Sequence, residues 1–304
     1  MQALLDAIAA MPFPADAGRL FHGRGGRFPG CEHLALDAWP PVLLLTSFQP
    51  LADAALAAVG DALAARWREV APAGAPLNWV YQCRGEAAVT RLMAGAVPEP
   101  HVVTEAGTRY LVHLLRGQNH GLFLDMAEGR RWVRAQVAPG ARVLNLFAYT
   151  CAFSVVALQA GAAEVVNVDM ASGALAIGRR NHELNGVAAG AKFLAHDLFN
   201  SWGKLTRGGP YDLVVCDPPS FQKGSFVASK DYARLARRLP ALLAPGGQAL
   251  LCLNAPELGE AFLRDVMAEH APALACTGRV ANPAAFADVS ADRGLKVLAY
   301  RAVA

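Results

Sequence analysis

Asp217, Pro218 and Pro219 end an apolar run that reads YDLVVCDPPSF from Tyr211 to Phe221, and few chemistries suit that order. A carboxylate beside a proline carbonyl offers several acceptors and no donor, which fits gripping an amino group or a ring N–H. Neither proline has an N–H to donate, so the ladder stops there and Asp217 is left at the carboxyl end of a strand buried on both faces. In open α/β sheets that edge is where ligands bind. Phe221, four residues on, has the flat face needed to stack a base, or equally to cover an apolar edge.

Two more carboxylates stand at positions of the same kind. Asp169 ends VVNVD, where it can accept both hydroxyls of an adenosine ribose, and Asp197 ends KFLAHD, where it can accept from an adenine amino group. Each alone is as well explained as a helix cap, whereas acids ending consecutive strands form a pattern. The segment NLFAYTCAF, Asn145 to Phe153, follows a first strand where nucleotide-binding folds bring backbone N–H groups and a helix N-terminus to their ligand. GxGxxG is absent, which counts against a dinucleotide and a nicotinamide-dependent dehydrogenase.

The elements that must position these residues begin near Ala141. VLNLF (143–147), VVNVD (165–169), KFLAHD, YDLVVCDPP and QALLCLN alternate with helical patterns, including 172–185 and 229–243. Parallel strands need crossovers, so the pattern predicts a doubly wound α/β sheet. LKVLAYRA (295–302) has no helix after it and fits a closing antiparallel strand in a seven-stranded mixed sheet. Residues 1–117 differ: VLLLTSF, NWVYQC and RYLVHLL surround one amphipathic helix over 53–70, which predicts a small α+β domain ahead of a sheet domain over 118–304.

Composition restricts the class further. Of 304 residues 54% are hydrophobic, yet no run approaches the roughly 18 apolar residues of a membrane span. The first residues carry no early Lys or Arg and include Asp6, which argues against a signal peptide. The cysteines at 31, 83, 151, 216, 252 and 276 form no CxxC or Cys/His cluster, so the expectation is a reducing, cytoplasmic setting and no metal. A net charge of +3 rules out a protein that binds nucleic acid by bulk charge.

The stretch LNLFAYTCAFSVVALQAGAAEVVNVDMASGALAIGRRNHELNG, with DPPSF after it and NHGLFLDM (119–126) before it, resembles the S-adenosylmethionine-dependent methyltransferases that modify bacterial 23S ribosomal RNA, the RlmI and RlmK group. The resemblance covers roughly residues 118–304 and implies a Rossmann-like class I methyltransferase fold with S-adenosylmethionine as cofactor and RNA as partner. It further implies that Asn145, Phe147, Tyr149 and Thr150 surround the methionine part of the cofactor. Asp169 would hold the ribose, Met170 would pack on the adenine and Asp197 would accept from its amine. Asp217 and Pro218 would face the methyl sulfonium and the acceptor, with Phe221 beside them. Cys151 and Ala152 stand where the family usually has glycine, and Asn119-His120-Gly121 replaces its usual Thr-Gly.

The acceptor atom can be argued from what is missing. Methylation of a pyrimidine C5 needs a thiolate to add to C6, and the cytosine-modifying relatives carry that cysteine just after the fifth strand. Asn254 stands there, and Cys252, about 6–7 Å deeper on the same strand, reads as a core residue. The expectation is therefore a guanine or adenine nitrogen of ribosomal RNA. A protein or small-molecule acceptor and a non-catalytic RNA-binding relative stay open. Arg234, Arg237 and Arg238 fit a solvated helix face, and Arg24 and Arg27 in HGRGGR fit either a flexible loop touching RNA or an ordinary turn.

Overall fold

The computed structural model describes residues 1–85, 88–219 and 226–303, with the backbone of residues 221 and 222. The chain divides into two units, one of residues 1–124 with 284–289, the other of 125–283 with 290–303. Among the described residues no helix is long and apolar enough to cross a membrane.

The first unit holds α1 (Gln2–Ala10), β1 (Gly18–His22), β2 (Leu34–Trp39), β3 (Val42–Ser47), α2 (Asp53–Val70), β4 (Asn78–Cys83), β5 (Val89–Ala94), β6 (His101–Glu105) and β7 (Thr108–Val112). Strands β1 to β5 form one sheet in chain order, and β6 with β7 a separate hairpin. β3 and β4 are parallel, so a crossover is required, and α2 supplies it. Leu56, Val59, Leu63 and Trp67 recur at helical spacing and are buried, packing with Leu4 and Ile8 of α1 against Leu36, Leu45, Trp79 and Tyr81 of the sheet. Each such burial is worth about 1.5–3 kcal/mol, which is what holds α1 in place although its sequence has no capping side chain.

The second unit holds α3 (Ala127–Gln136), β8 (Arg142–Leu146), α4 (Ala152–Gln159), β9 (Glu164–Asp169), α5 (Ser172–Leu184), β10 (Ala191–Ala195), α6 (Trp202–Gly208) and β11 (Tyr211–Cys216). After these come the short β12 (Phe221–Gln222) and β13 (Phe226–Val227), then α7 (Ala228–Ala236), α8 (Leu239–Leu242), β14 (Leu243–Leu253), α9 (Glu260–His270), β15 (Leu274–Val280) and β16 (Lys296–Ala302). The sheet order is β10-β9-β8-β11-β14-β16-β15, seven strands with β16 antiparallel to both neighbours, which agrees with the expected mixed sheet. Leu213 and Val215 face one buried layer, Val214 and Cys216 the other, so β11 is covered on both sides as its unbroken apolar run requires.

One expected element differs. The single helix over 229–243 is two, α7 and α8, because Pro240 lacks the N–H needed to continue a helix and instead sits in the first turn of a new one. The strand expected in QALLCLN begins earlier, at Leu243, and its register against β11 shifts between Tyr211 and Leu213.

Candidate active site

Strand order decides which residues meet. β8, β9 and β10 run outward in one direction and β11 and β14 in the other, so the order reverses between β8 and β11. A crevice opens at the carboxyl ends of strands where the order reverses. Along that edge lie, in turn, Asp197 after β10, Asp169 ending β9, the 147–151 loop after β8, Asp217 after β11 and Asn254 after β14. Neighbouring strands are about 4.8 Å apart, so Asp197 and Asp217 bracket roughly 14 Å of edge.

The loop after β8 is held by hydrogen bonds and by strain. Phe147, Tyr149 and Cys151 have φ of +57°, +46° and +63°, the left-handed region that normally selects glycine. Each costs of the order of 1 kcal/mol, so the surroundings must fix them. The Ala148 N–H donates to Val168 O at 3.0 Å and the Cys151 N–H to Ala148 O at 2.7 Å. The Tyr149 N–H donates to Asp169 Oδ2 at 2.8 Å, and the other Asp169 oxygen accepts from the Ala171 N–H at 2.8 Å. Cys151 therefore keeps the conformation of the missing glycine while adding a side chain. That side chain is fully buried, with its thiol pushed up by burial and by Asp169.

Space for it comes from α5. A Cβ at Gly178 would fall 2.6 Å from Cys151 Sγ, so the loop packs on α5 only because Gly178 has none. Asn181, one turn on, donates from Nδ2 to Thr150 O at 3.0 Å. Thr150 is buried, Phe147 and Tyr149 are half-buried, and Met170 is exposed.

Asn145 does not face open space. It is buried, and its Nδ2 donates to Asn167 Oδ1 at 2.9 Å. Asn167 donates to Ser154 Oγ at 3.0 Å, and Ser154 to His182 Nε2 at 2.8 Å. His182 Nδ1 lies 2.7 Å from Gly178 O, and a carbonyl only accepts, so Nδ1 carries the proton. Burial draws the His182 pKa down, which keeps the ring neutral and Nε2 an acceptor. The Asn145 side chain thus ties β8 to β9 and α5 under the loop.

Asp197 behaves as a cap. Its Oδ1 accepts from the Phe199 N–H at 2.8 Å and its Oδ2 from Asn200 Nδ2 at 2.7 Å. Each carboxylate oxygen of Asp169 and Asp197 has a second lone pair, so both remain able to accept from a ligand.

At β11 the Asp217 N–H reaches back to Leu146 O of β8 at 3.4 Å. Burial, then the negative charge of Asp125, push the Asp217 carboxyl up to about 7, and Arg130 opposes them. Pro218 is buried beside it. The Phe221 side chain lies outside the described residues, and its backbone pairs with Val227. Phe147 and Phe199 pack against Phe226 on β13, with centroids 5.3 and 6.3 Å away. Arg234 is exposed, as expected of a solvated helix face, and from there lies 3.9 Å over the Phe199 ring and pairs with Asp231 at 2.8 Å.

Three residues of this edge were not legible as such in the sequence. Asp125 lies in the turn before α3, and Arg130 occupies a buried position in line with Met126, Val133 and Val137. An arginine in an apolar helical stripe was the available signal, because a buried guanidinium needs carboxylates nearby. Lys296 is fully buried, and its Nζ donates to Ala255 O at 2.6 Å and Asp292 O at 2.9 Å, which pins the chain just past Asn254.

The donor and acceptor set fits an adenosine-containing cofactor: half-buried strand-end carboxylates with spare lone pairs, an exposed Met170 beside one of them, and a further carboxylate, Asp217, across the reversal point. Comparison with known proteins agrees. The ribosomal RNA large subunit methyltransferase I of Aeromonas hydrophila is 36% identical over 192 residues, 60% of this chain and 47% of that protein. The enzyme of the same name from Erwinia tasmaniensis is 32% identical over 248 residues, 77% of this chain and 60% of that protein. The chain thus spans about half the length of the curated relatives it matches. Among solved structures, SMU.776, described as a methyltransferase and complexed with SAH, is 26% identical with a TM-score of 0.80, covering 99% of this chain and 78% of that one. Residues 18–301 match the model of the S-adenosylmethionine-dependent methyltransferase family, and this chain belongs to it.

Proposed function

We propose that this protein transfers a methyl group from S-adenosylmethionine to a guanine or adenine nitrogen of ribosomal RNA, 23S rRNA being the substrate to which its large-subunit relatives point. Asp169 would accept from the ribose hydroxyls, Met170 would cover the adenine and Asp197 would accept from its amine. Phe147, Tyr149 and Thr150 would line the methionine part, with Asn145 acting beneath them through Asn167. When bound, the cofactor supplies an electrophilic methyl on a sulfonium.

Asp217 and Pro218 carry the acceptor end. A carboxylate and a neighbouring carbonyl accept two N–H bonds from one amino group, which aims the nitrogen lone pair at the methyl. Desolvation at this end lifts Asp217 into the range where it can also take the proton that the nitrogen must lose. Phe221 is proposed to stack on the base.

The observation that carries the nitrogen reading is the state of the cysteines. Cys252 and Cys216 are fully buried with thiols raised well above the ordinary range by burial and by Asp217, and Cys252 packs in the core with Val215 and Leu250. Neither offers the thiolate that pyrimidine C5 methylation requires. An rRNA acceptor makes the protein cytoplasmic, and six free cysteines suit that compartment.

The test is calorimetric titration with S-adenosylmethionine and with NAD, followed by transfer of labelled methyl to rRNA from a strain lacking the protein. Binding of the first alone and label on a purine support the reading. Label on a pyrimidine C5 overturns the nitrogen assignment, and label on protein overturns RNA.

A further inference from the structure

Six of the 28 basic residues of the chain stand in two short segments, 198–208 and 228–238, against one of its 25 acids. They are Lys204, Arg207, Lys230, Arg234, Arg237 and Arg238, all exposed, and the acid is Asp231. The first segment is the turn after Asp197 with α6, and the second is α7 with the two residues that follow it. Lys230, Arg234 and Arg238 recur every fourth residue, and Arg237 and Arg238 keep helical backbone angles, so these cations form one stripe along α7.

The stripe lies against aromatic rings. The Arg234 guanidinium is 3.9 Å from the Phe199 centroid and that of Arg238 is 6.0 Å from the Trp202 centroid, and the two half-buried rings meet edge to face. Nearby acids leave the stripe positive. Asp231 Oδ1 accepts from Arg234 Nη1 and its Oδ2 from the Val227 N–H, both at 2.8 Å, which fixes Arg234 at the start of α7. Lys230, Arg237 and Arg238 have no ion pair among the described residues. Both oxygens of Asp197 are engaged by its own turn, at the Phe199 N–H and Asn200 Nδ2. Helix α9 packs on α7 through Tyr232 and Phe262, centroids 6.4 Å apart and nearly opposite Arg234 round the helix. Its exposed acids Asp265 and Glu269 form no ion pair with the stripe among the described residues. Phe199 stacks on Phe226, which packs on Phe147 of the loop after β8, so the stripe borders the edge that carries Asp169, Asp197 and Asp217.

We propose that the α7 stripe of Lys230, Arg234 and Arg238, backed by Phe199 and Trp202, binds the phosphate backbone of the RNA acceptor where the strand leaves the reacting edge. The surface rests on the RNA reading above and deepens it. A guanidinium laid on a ring has given up part of its freedom before a ligand arrives, so its in-plane N–H groups bind phosphate oxygens at a lower entropic cost. Six cations against one acid supply locally the field that a net charge of +3 withholds from the chain as a whole.

The full chain is titrated into a fluorescently labelled single-stranded RNA over a salt series, as wild type, Arg238→Glu and Arg238→Gln. Arg68→Glu, at an exposed position of α2, serves as a control of equal charge change. Arg238→Glu is expected to weaken binding about tenfold and Arg238→Gln about threefold, each making the slope of log K against log salt shallower by about 0.7. Arg68→Glu is expected to change RNA affinity by less than about twofold, because salt screens a distant charge. Affinity for S-adenosylmethionine is expected to stay at the wild-type value in all three. Wild-type RNA affinity and slope in both Arg238 variants, in proteins that still methylate rRNA, overturn the surface and leave the acceptor reading standing. A loss in Arg68→Glu equal to that in Arg238→Glu assigns the binding to bulk charge and overturns the surface as well. A wild type that neither binds RNA nor methylates it overturns both.

Discussion

The sulfur of Cys151 fills the space that a side chain at Gly178 would need, 2.6 Å from where its Cβ would stand. A strained, glycine-like conformation in the loop after β8 is thereby paired with a glycine in α5.

Gly178→Ala should destabilise the fold by about 1–3 kcal/mol through overpacking of a buried contact. Cys151→Gly removes the obstructing atoms and the left-handed strain together. The double variant should therefore lose less than the sum of the single ones, by about 1 kcal/mol or more in urea melts. Strict additivity would mean that the two residues do not share this space.

Asp169→Ala removes the acceptor of two backbone N–H groups as well as the proposed ribose contact. Calorimetry should show S-adenosylmethionine affinity reduced at least tenfold. Asp169→Asn, which keeps one acceptor, should fall between. Unchanged affinity in the alanine variant would remove Asp169 from the cofactor site.

Asp217 titrates near 7 against 3.8 for the ordinary side chain. The folded state thus binds the proton more tightly than the unfolded one. The associated stability is fully present below about pH 4 and is lost as pH rises through 7. Relative to wild type, Asp217→Asn should gain stability between pH 4 and 8, by up to about 4 kcal/mol. Methyl transfer by the wild type should rise with a midpoint near pH 7, and Asp125→Asn should move that midpoint down by removing a neighbouring negative charge. A rate independent of pH across this range would argue against proton uptake by Asp217.

Lys296→Met should cost about 1–3 kcal/mol, because two carbonyls lose a charged donor within the core. The loss is expected to reach kcat more than cofactor affinity, since the pinned segment follows Asn254, next to Asp217 on the side proposed for the acceptor. Equal effects on both would indicate a purely structural lysine.

Much of this was legible in local sequence. Asp169, Asp197 and Asp217 sit at strand ends because apolar runs of fixed period stop at residues that cannot continue them, and Pro218 and Pro219 make one such stop unambiguous. The loop at 147–151 was harder to see. Left-handed residues are usually marked by glycine, and here Phe147, Tyr149 and Cys151 adopt that conformation only because Asp169, Val168 and Gly178 hold them. Asn145 suggested a ligand contact, and its partner Asn167, 22 residues on, has instead drawn its amide into the sheet.

The sequence by itself determined the sheet, its strand-end acids and the absence of a dinucleotide motif, since each follows from periodicity and from what proline and glycine permit. Tertiary structure alone decided which side chains share an environment. Asp125 with Asp217, Lys296 with the Ala255 carbonyl, and Arg24 with Arg84 across Phe48 are separated by tens of residues or more, and these groups interact only after the chain has closed the distance between them.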